Sequence, residues 1–219
     1  MKIYKIPEHL KTVIFDIDGT LYTSPEYLYE QVDVQIRHYA HINGMQEDKA
    51  RKLISDYRDN WSKEHDGKKI SLGNTLTAFG ISIEESIKWR NSLMEPQKFL
   101  TEDKKLKYAL SVLDKDFNMI CVTNNPVQAA SKTLKVLGID NFFTDRIIGL
   151  DTCYKSKPAV EVLQKAMELT CSTPQECLSI GDRYDIDLSL PLKLGMGAIL
   201  VDGAEDLYNI NCVLSNNKL

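Results

Sequence analysis

The stretch that decides the fold is Val13-Ile14-Phe15-Asp16-Ile17-Asp18-Gly19-Thr20-Leu21-Tyr22. Its first three residues are apolar and run directly into two carboxylates, a pattern typical of a buried strand where it leaves its sheet. The carboxyl ends of such strands are where open α/β sheets place their chemistry. In an extended chain the side chains of Asp16 and Asp18 would point to one side. Two anions that close repel unless a cation neutralises them, and Mg²⁺ suits carboxylate ligands together with phosphate oxygens.

The same stretch has a simpler interpretation. Gly19 lets the chain turn sharply and Thr20 adds a hydroxyl at that turn. A strand followed by an acidic Asp-Gly turn would therefore explain these residues without any chemistry. The rest of the chain decides between the two interpretations.

Length and composition set the broad class. The chain has 219 residues, of which 43% are hydrophobic and 26% charged, enough for one core domain with an insertion or for two small domains. The net charge of −4 argues against a nucleic-acid or anionic-membrane binder, which needs a basic face. Five cysteines without a CxxC pair predict reduced thiols and a cytoplasmic protein. We expect no signal peptide and no membrane span, because no long apolar run occurs.

Residues 24–98 differ in character from their surroundings. They are rich in charged and aromatic residues, and their apolar residues recur at helical spacing, which predicts four helices and no strand. The first helix is predicted to end near Asn43-Gly44 and the third to stop at Gly80, while Ser82 and Glu85 would form a capping box for the fourth.

The helical stretch interrupts an α/β pattern, so we interpret it as a domain inserted into a core formed by residues 1–23 and 99–219. An insertion at the mouth of a strand is expected to overhang the site. The alternative is an ordinary helical subdomain with no role towards substrate.

Strand and helix patterns alternate from residue 99 onward, which predicts an α/β fold with a parallel sheet and right-handed crossovers. A helix predicted around residues 188–194 contains Pro191, which marks a kink or a break. The predicted strands are 11–16, 118–122, 146–149, 177–180 and 197–201.

Polar residues collect where these strands end. If the sheet is doubly wound, the strand ends share one edge and their side chains converge. Hydroxyl, amide, ammonium and carboxylate groups around a metal are what a phosphoryl group needs. The residues in question are Asp16, Asp18, Thr20, Thr123, Asn124, Lys155, Lys157, Asp182, Asp185 and Asp187.

This set resembles the haloacid dehalogenase superfamily of phosphohydrolases over essentially the whole chain. Four motifs match in order: DxDGT at 16–20, a strand ending in Thr123, Lys-Pro at 157–158 and GDxxxxD at 181–187. Together and in order, they are highly specific. The resemblance implies a Rossmann-like core and Mg²⁺-dependent phosphoryl transfer through an aspartyl-phosphate. It also implies a helical cap of the subfamily I type between the first two motifs, where residues 24–98 lie.

The resemblance also assigns catalytic and metal-binding roles. Asp16 would be the nucleophile, with its other oxygen on Mg²⁺. Asp18 would give the metal its backbone carbonyl and act as general acid/base, which also argues against dehalogenation. Asp182 would be the second carboxylate ligand, Lys157 would neutralise the nucleophile and the phosphate, and Asp187 would orient Lys157 or a water on the metal.

Thr20, the Thr123 hydroxyl and the backbone of Asn124 are expected to bind the phosphoryl group. Lys155 competes with Lys157 for the lysine role, and we favour Lys157 because it directly precedes Pro158 at a helix start. Three neighbours stay outside the set: Asp185 as a possible helix cap, Asn125 as either a phosphate neighbour or a cap, and Arg183 with no role.

The inserted region gives only a loose indication of the substrate. Leu21-Tyr22 after the first motif, with Tyr57-Arg58 and Trp61, is similar to the pyrimidine 5′-nucleotidase branch, although that branch often carries Asn or Asp where this chain has Gly19. In that interpretation Tyr22 and Trp61 would stack on a base and Arg58 would contact phosphate or sugar. The alternative places Tyr57 and Trp61 in the core of the inserted domain.

We therefore predict a Mg²⁺-dependent phosphatase for a small phosphomonoester, with a nucleoside 5′-monophosphate as the finer hypothesis. The alternatives are a phosphoglycolate or sugar-phosphate phosphatase, a mutase of the β-phosphoglucomutase type, and a binding protein on an inactive phosphatase scaffold. The expected partner is a small phosphorylated metabolite, with no nucleic acid and no membrane, and the chain is expected to be a monomer or a homodimer.

Overall fold

A computed structural model of the chain describes residues 1–215. Their contacts divide at two points, so that Pro25–Glu95 form one unit and the residues on either side, Met1–Ser24 and those from Pro96 onward, form a second. The insertion predicted from sequence has its bounds at residues 24 and 98. The two units are described separately below.

The second unit is built on a six-stranded sheet, which confirms the predicted α/β class. Each predicted strand is present, within one residue of its predicted ends. The strand order is β1-β6-β5-β2-β3-β4, and every pair is parallel except β1 with β6. The strands are β1 Lys2–Lys5, β2 Thr12–Phe15, β3 Asn118–Val122, β4 Ile147–Ile148, β5 Cys177–Gly181 and β6 Gly197–Leu200.

Strand β2 occupies the centre of the sheet. Its last residue, Phe15, pairs with Ile180 of β5 on one side and with Cys121 of β3 on the other. The chain leaves β2 towards β3 and later returns to β5 on the opposite side, so the strand order reverses at β2. In open α/β sheets the carboxyl ends of the strands at such a point form the ligand-binding crevice.

The strand ends one residue earlier than predicted, and this changes the geometry of the two carboxylates. Beyond Phe15 the amides of Thr20 and Leu21 both donate to the carbonyl of Ile17, at 3.2 and 2.9 Å, which closes a tight turn. The expectation of an extended chain through Asp18 is therefore wrong, because β2 ends before the first carboxylate and the chain turns directly after it.

The unit Pro25–Glu95 contains four helices and, among its residues, all of which are described, no strand. One half of the predicted capping box is present: Ser82 Oγ accepts from the amide of Glu85 at 3.1 Å, whereas the Glu85 carboxylate accepts from Trp89 Nε1 at 2.9 Å. The helices are α1 Pro25–Ile42, α2 Glu47–Glu64, α3 Leu72–Ala78 and α4 Ile83–Leu93. The core consists of Ile36, Tyr39, Ala40, Ala50, Ile54, Leu72, Leu76 and Trp89.

Among residues 1–215, six further α-helices belong to the unit that holds the sheet. The single helix predicted over residues 188–194 is instead a π-helical turn, Tyr184–Leu188, followed by a short α-helix that contains Pro191. Among residues 1–215 no helix combines the length and the apolar character needed to cross a membrane. The helices are α5 Lys104–Leu113, α6 Val127–Leu137, α7 Leu150–Cys153, α8 Val160–Thr170, α9 Ser189–Lys193 and α10 Ile210–Ser215.

Candidate active site

Three carboxylates converge at the carboxyl ends of β2 and β5. Asp16 directly follows β2, Asp182 directly follows β5, and Asp187 lies on the π-helical turn after β5. One oxygen from each lies within 4.8 Å of the others. Asp16 and Asp187 are each only 3% exposed, so the group is largely removed from water. The Asp18 side chain lies outside this group.

Two glycines of the sequence motifs allow this close approach. A Cβ at Gly19, whose φ is +77°, would lie 2.6 Å from Asp182 Oδ2. A Cβ at Gly181 would lie 2.4 Å from the Cβ of Asp187. Since real side chains do not tolerate such distances, any larger residue at either position would displace a carboxylate.

Lys157 joins two of the three carboxylates. Its ammonium donates to Asp16 Oδ1 at 2.6 Å and forms an ion pair with Asp187 Oδ1 at 2.7 Å. The lysine is 8% exposed, and its backbone amide donates to Asn124 Oδ1 at 2.7 Å. Lys155 is exposed. The structure therefore brings Lys157, and not Lys155, into the cluster.

Asp187 is held by the chain around it. Its Oδ2 accepts from the backbone amide of Arg183 at 3.0 Å. Pro191 lacks the amide hydrogen that would bond the Asp187 carbonyl four residues earlier. Ser179 Oγ donates to that carbonyl instead, at 2.9 Å. These contacts fix the position from which Asp187 orients Lys157.

Negative charge exceeds positive charge in the cluster. Burial raises the pKa of Asp182 to about 6, and the nearby Asp16 adds to the rise. Burial and Asp16 likewise raise the pKa of Asp187. Burial alone would lower the pKa of Lys157, but Asp16 and Asp187 outweigh it, so that pKa lies above its ordinary value of 10.5.

Arg183 is the second cation at the cluster, and sequence reasoning gave it no role. Its guanidinium lies 3.8 Å from Asp16, 3.7 Å from Asp182 and 3.8 Å from Asp187. It remains half exposed, so water screens part of its charge. Its place directly after Asp182 in the GDxxxxD motif was the one available signal. Asp185, left out of the predicted metal set, is exposed.

Two buried carboxylate oxygens test whether a metal fits this site. Within residues 1–215, neither Asp16 Oδ2 nor Asp182 Oδ1 has a hydrogen-bond partner. Buried polar atoms are rarely left unpaired, because removing them from water without a partner costs free energy. Paired carboxylate oxygens are the ligands that a hard divalent cation such as Mg²⁺ takes. The residues present therefore fit that ion.

The loop after β3 supplies the predicted phosphate contacts. Thr123 is buried at the strand end, and its Oγ1 accepts from the amide of Asn125 at 3.1 Å. The side chain of Asn124 holds Lys157, as described above, which sequence reasoning did not foresee. Thr20 is fully buried in the turn after β2, and its hydroxyl has no hydrogen-bond partner among the described residues.

Asp18 is bound from both of its oxygens. Tyr22 OH donates to Oδ1 at 2.5 Å, and Asn125 Nδ2 donates to Oδ2 at 2.7 Å. The Tyr22 ring is 3% exposed. A buried ring whose hydroxyl is engaged by a carboxylate disfavours the predicted stacking of Tyr22 on a base.

The aromatic residues singled out in the helical unit have partners within that unit. Trp61 stacks on His65 with ring centroids 3.8 Å apart, and Tyr57 packs edge-on against Phe79 at 5.3 Å. Both residues are only half-buried and lie outside the core of this unit, so the alternative that places them in that core stays a prediction. Arg58 lines a polar cavity of the same unit.

Comparison with known proteins agrees with the arrangement of these residues. A family model described as haloacid dehalogenase-like hydrolase matches residues 10–191. The chain is 29% identical over 176 residues to pyrophosphatase PpaX of Bacillus mycoides, an alignment that covers 80% of this chain and 76% of that protein.

Solved structures share the fold. The HAD phosphatase from Thermococcus onnurineus superposes with a TM-score of 0.63 at 19% identity, covering 96% of this chain and 100% of that one. The HAD-hydrolase YfnB from Bacillus subtilis, solved with bound magnesium, gives a TM-score of 0.59 at 18% identity, covering 92% and 98%.

Proposed function

The chain belongs to the haloacid dehalogenase-like hydrolase family and is a phosphatase, and we propose that it hydrolyses a small phosphomonoester through an aspartyl-phosphate on Asp16. The observation that supports this most is the bridge made by Lys157 between Asp16 and Asp187. A buried ammonium beside the carboxylate opposes its negative charge and attracts the phosphate that the nucleophile attacks.

The proposed reaction has two steps. In the first, a carboxylate oxygen of Asp16 attacks phosphorus, and the leaving-group oxygen departs with a proton from Asp18. In the second, water attacks phosphorus, Asp18 takes a proton from that water, and inorganic phosphate leaves with the Asp16 carboxylate regenerated. Asp18 thus acts first as an acid and then as a base, and ends each cycle protonated.

The surrounding residues stabilise the phosphoryl group in this scheme. Lys157 balances the charge of Asp16 and of the transferring group. The Thr123 hydroxyl, the Asn124 amide and Thr20 are the proposed phosphoryl contacts. Mg²⁺, held by Asp16, Asp182 and the backbone carbonyl of Asp18, would supply positive charge to the phosphate oxygens.

The candidate substrates differ in the leaving group that carries the phosphate. A nucleoside 5′-monophosphate is the finer hypothesis, although the burial of Tyr22 disfavours stacking of its ring on a base. Inorganic pyrophosphate is a second candidate, because the relative from Bacillus mycoides carries the name pyrophosphatase. A sugar-phosphate mutase and a non-catalytic binding protein are the remaining alternatives.

We also propose where the protein works and what it meets. All five cysteines are free, which supports a reducing compartment such as the cytoplasm. The net charge of −4 supports a small phosphorylated metabolite, and not a nucleic acid or an anionic membrane, as the partner. The proposed assembly is a monomer or a homodimer.

A substrate panel tests the proposal. Phosphate release would be measured from UMP, CMP, AMP, phosphoglycolate, several sugar phosphates, pyridoxal phosphate and inorganic pyrophosphate, each with Mg²⁺ and with EDTA. We expect Mg²⁺-dependent release from at least one monoester. Preference for UMP and CMP would support the nucleotide hypothesis, and preference for pyrophosphate would replace the monoester.

The same panel separates the alternatives of other classes. Transfer of phosphate between two positions of a sugar, dependent on a sugar bisphosphate and without release, would establish a mutase. Absence of turnover from every compound, with the protein folded by circular dichroism, would contradict a phosphatase and favour a binding protein.

A further inference from the structure

We propose that Tyr22 and Asn125 are positioning residues that clamp the Asp18 carboxylate from its two oxygens and so aim it at the leaving group. The proposal rests on the acid/base role proposed for Asp18. It replaces the base-stacking role that sequence reasoning gave to Tyr22, and it gives Asn125 a function beyond helix capping.

The two donors come from different parts of the chain. Tyr22 lies four residues after Asp18, on the same turn, and its hydroxyl is 2.5 Å from Oδ1. Asn125 lies in the loop after β3, 107 residues after Asp18, and its Nδ2 is 2.7 Å from Asp18 Oδ2. Both distances are those of strong hydrogen bonds to a carboxylate. The chain therefore holds Asp18 through two independent segments.

Two donors fix the orientation of the Asp18 carboxylate, which a single donor would not. The terminal torsion of an aspartate is broad, so a carboxylate held at a single oxygen can rotate. A donor on each oxygen fixes the plane of the group. Each carboxylate oxygen has two acceptor positions, so a bond from Tyr22 or Asn125 does not by itself fill the oxygen that it reaches. The clamp therefore restricts orientation without blocking proton transfer.

Asn125 is itself held in place. The amide of Asn125 donates to Thr123 Oγ1 at 3.1 Å, and its carbonyl accepts from the amide of Leu150 at 3.0 Å. Asp151, next to Leu150, accepts from the amide of Val127 at 2.9 Å, which ties α7 to the start of α6. A functional group supported in this way keeps its geometry through the reaction.

The consequence for the reaction depends on the leaving group. A phenolate is a poor leaving group and needs the proton from Asp18, whereas a p-nitrophenolate leaves without one. Loss of the clamp should therefore slow the release of phenol more than the release of p-nitrophenol. A residue needed only for folding would slow both reactions alike.

Tyr22→Phe tests this prediction, because it removes the hydroxyl and keeps the ring. For phenyl phosphate we expect kcat/KM to fall about 10-fold or more, a part of the ~10²–10⁴-fold that general acid catalysis contributes. For p-nitrophenyl phosphate the expected loss is about threefold or less, because that leaving group needs little general acid catalysis. Asn125→Ala should show the same selectivity. It is a second test if Tyr22→Phe fails to fold.

Tyr29→Phe is the matched control. Tyr29 OH donates to Asp33 at 3.3 Å, a tyrosine–carboxylate pair four residues apart in the helical unit. This variant should leave the ratio of the two kcat/KM values unchanged. In the Asp18→Asn background, Tyr22→Phe should cause no further loss for phenyl phosphate, because the group that it positions is already disabled.

The outcomes separate this proposal from the proposed function. Equal losses for both esters, or no loss, in Tyr22→Phe and Asn125→Ala would overturn the clamp while the phosphatase activity of the wild type stands. Failure of the wild type to hydrolyse any ester of the panel, or near-normal activity of Asp16→Asn, would overturn the proposed function itself.

Discussion

Asp33 in the helical unit and Asp16 at the end of β2 are equally buried, each 3% exposed, but their surroundings differ. Asp33 receives two arginines: Arg51 donates to both of its oxygens at 2.8 and 3.0 Å, and Arg37 donates to Oδ2. Arg51 and Arg37 together hold the pKa of Asp33 below its ordinary value, against the opposing effect of burial. Asp33 is thus a carboxylate whose charge is fully matched.

Asp16 has much less compensation. It shares the ammonium of Lys157 with Asp187, and its Oδ2 has no hydrogen-bond partner within residues 1–215. The pKa of its neighbour Asp182 shifts in the opposite direction from that of Asp33, since burial and Asp16 raise it to about 6. A matched buried acid stabilises the fold, whereas a group of buried acids short of positive charge is typical of a functional site. The comparison teaches that burial alone does not distinguish the two.

The largest expected effect is on activity, at Asp16. Asp16→Asn keeps the shape and removes the nucleophile, so kcat for p-nitrophenyl phosphate should fall about 10³-fold or more. In metal-free buffer the midpoint of thermal unfolding should not fall, because one of three neighbouring anions is lost. Steady-state kinetics and calorimetry measure the two quantities. Near-normal kcat, or a large loss of stability with activity retained, would contradict the contrast drawn here.

Metal removal should have the next largest effect. EDTA should abolish turnover and Mg²⁺ should restore it, because Asp16 and Asp182 each present a buried oxygen that has no hydrogen-bond partner within residues 1–215. Mg²⁺ at a hundred times its Kd should also stabilise the folded wild type by about 2.7 kcal/mol. Asp182→Asn should lose most of this gain in thermal-shift measurements. An equal gain in the variant would place the ion elsewhere.

Asp33 should affect stability and not catalysis. Asp33→Asn removes a carboxylate shared by Arg37 and Arg51, which both keep other acidic partners. Since both arginines are about one-third exposed, we expect a loss of only about 1–2 kcal/mol in the free energy of unfolding. Urea denaturation measures this loss. The kcat of the folded variant should match that of the wild type, and a tenfold fall would show that the two clusters are not functionally separate.

The pH dependence and a control sharpen this prediction. The pKa of Asp33 in the folded protein is lowered from 3.8. The stability that its carboxylate contributes is therefore fully present above that pH and is lost as the pH falls through the folded-state pKa. The difference in the free energy of unfolding between the wild type and Asp33→Asn should therefore become smaller below pH 3.8. Asp56→Asn is the control: Asp56 pairs with Lys52 on an exposed helix face, and its loss should not change stability measurably.

The sequence was most informative where local patterns and motifs coincide. Apolar runs that end in polar residues located five strands and the group Asp16, Asp182 and Asp187. Strand β1 escaped detection because Lys2–Lys5 is only four residues long, consists of exposed residues and is half lysine. Its strand character comes only from pairing with β6, which is distant in sequence.

The surroundings of Asp18 could not be predicted from the sequence either, because they too depend on segments that are brought together by folding. An extended chain would have placed Asp18 beside Asp16, but the turn on the carbonyl of Ile17 redirects it to Tyr22. Its second partner, Asn125, lies in the loop after β3, and the two residues are brought together because β3 pairs with β2 in the sheet. Contacts of this kind depend on tertiary structure, and spacing along the chain does not reveal them.

The covalent role of Asp16 is the central claim, and trapping tests it most directly. The enzyme would be acid-quenched during turnover of p-nitrophenyl phosphate with Mg²⁺ and reduced with borohydride, which converts an acyl phosphate to the alcohol. Peptide mass spectrometry should then find homoserine at position 16 in the wild type, and at no position when substrate is omitted. Reduction at another carboxylate, or none at Asp16 while the enzyme turns over with a demonstrated burst of p-nitrophenol, would contradict the account.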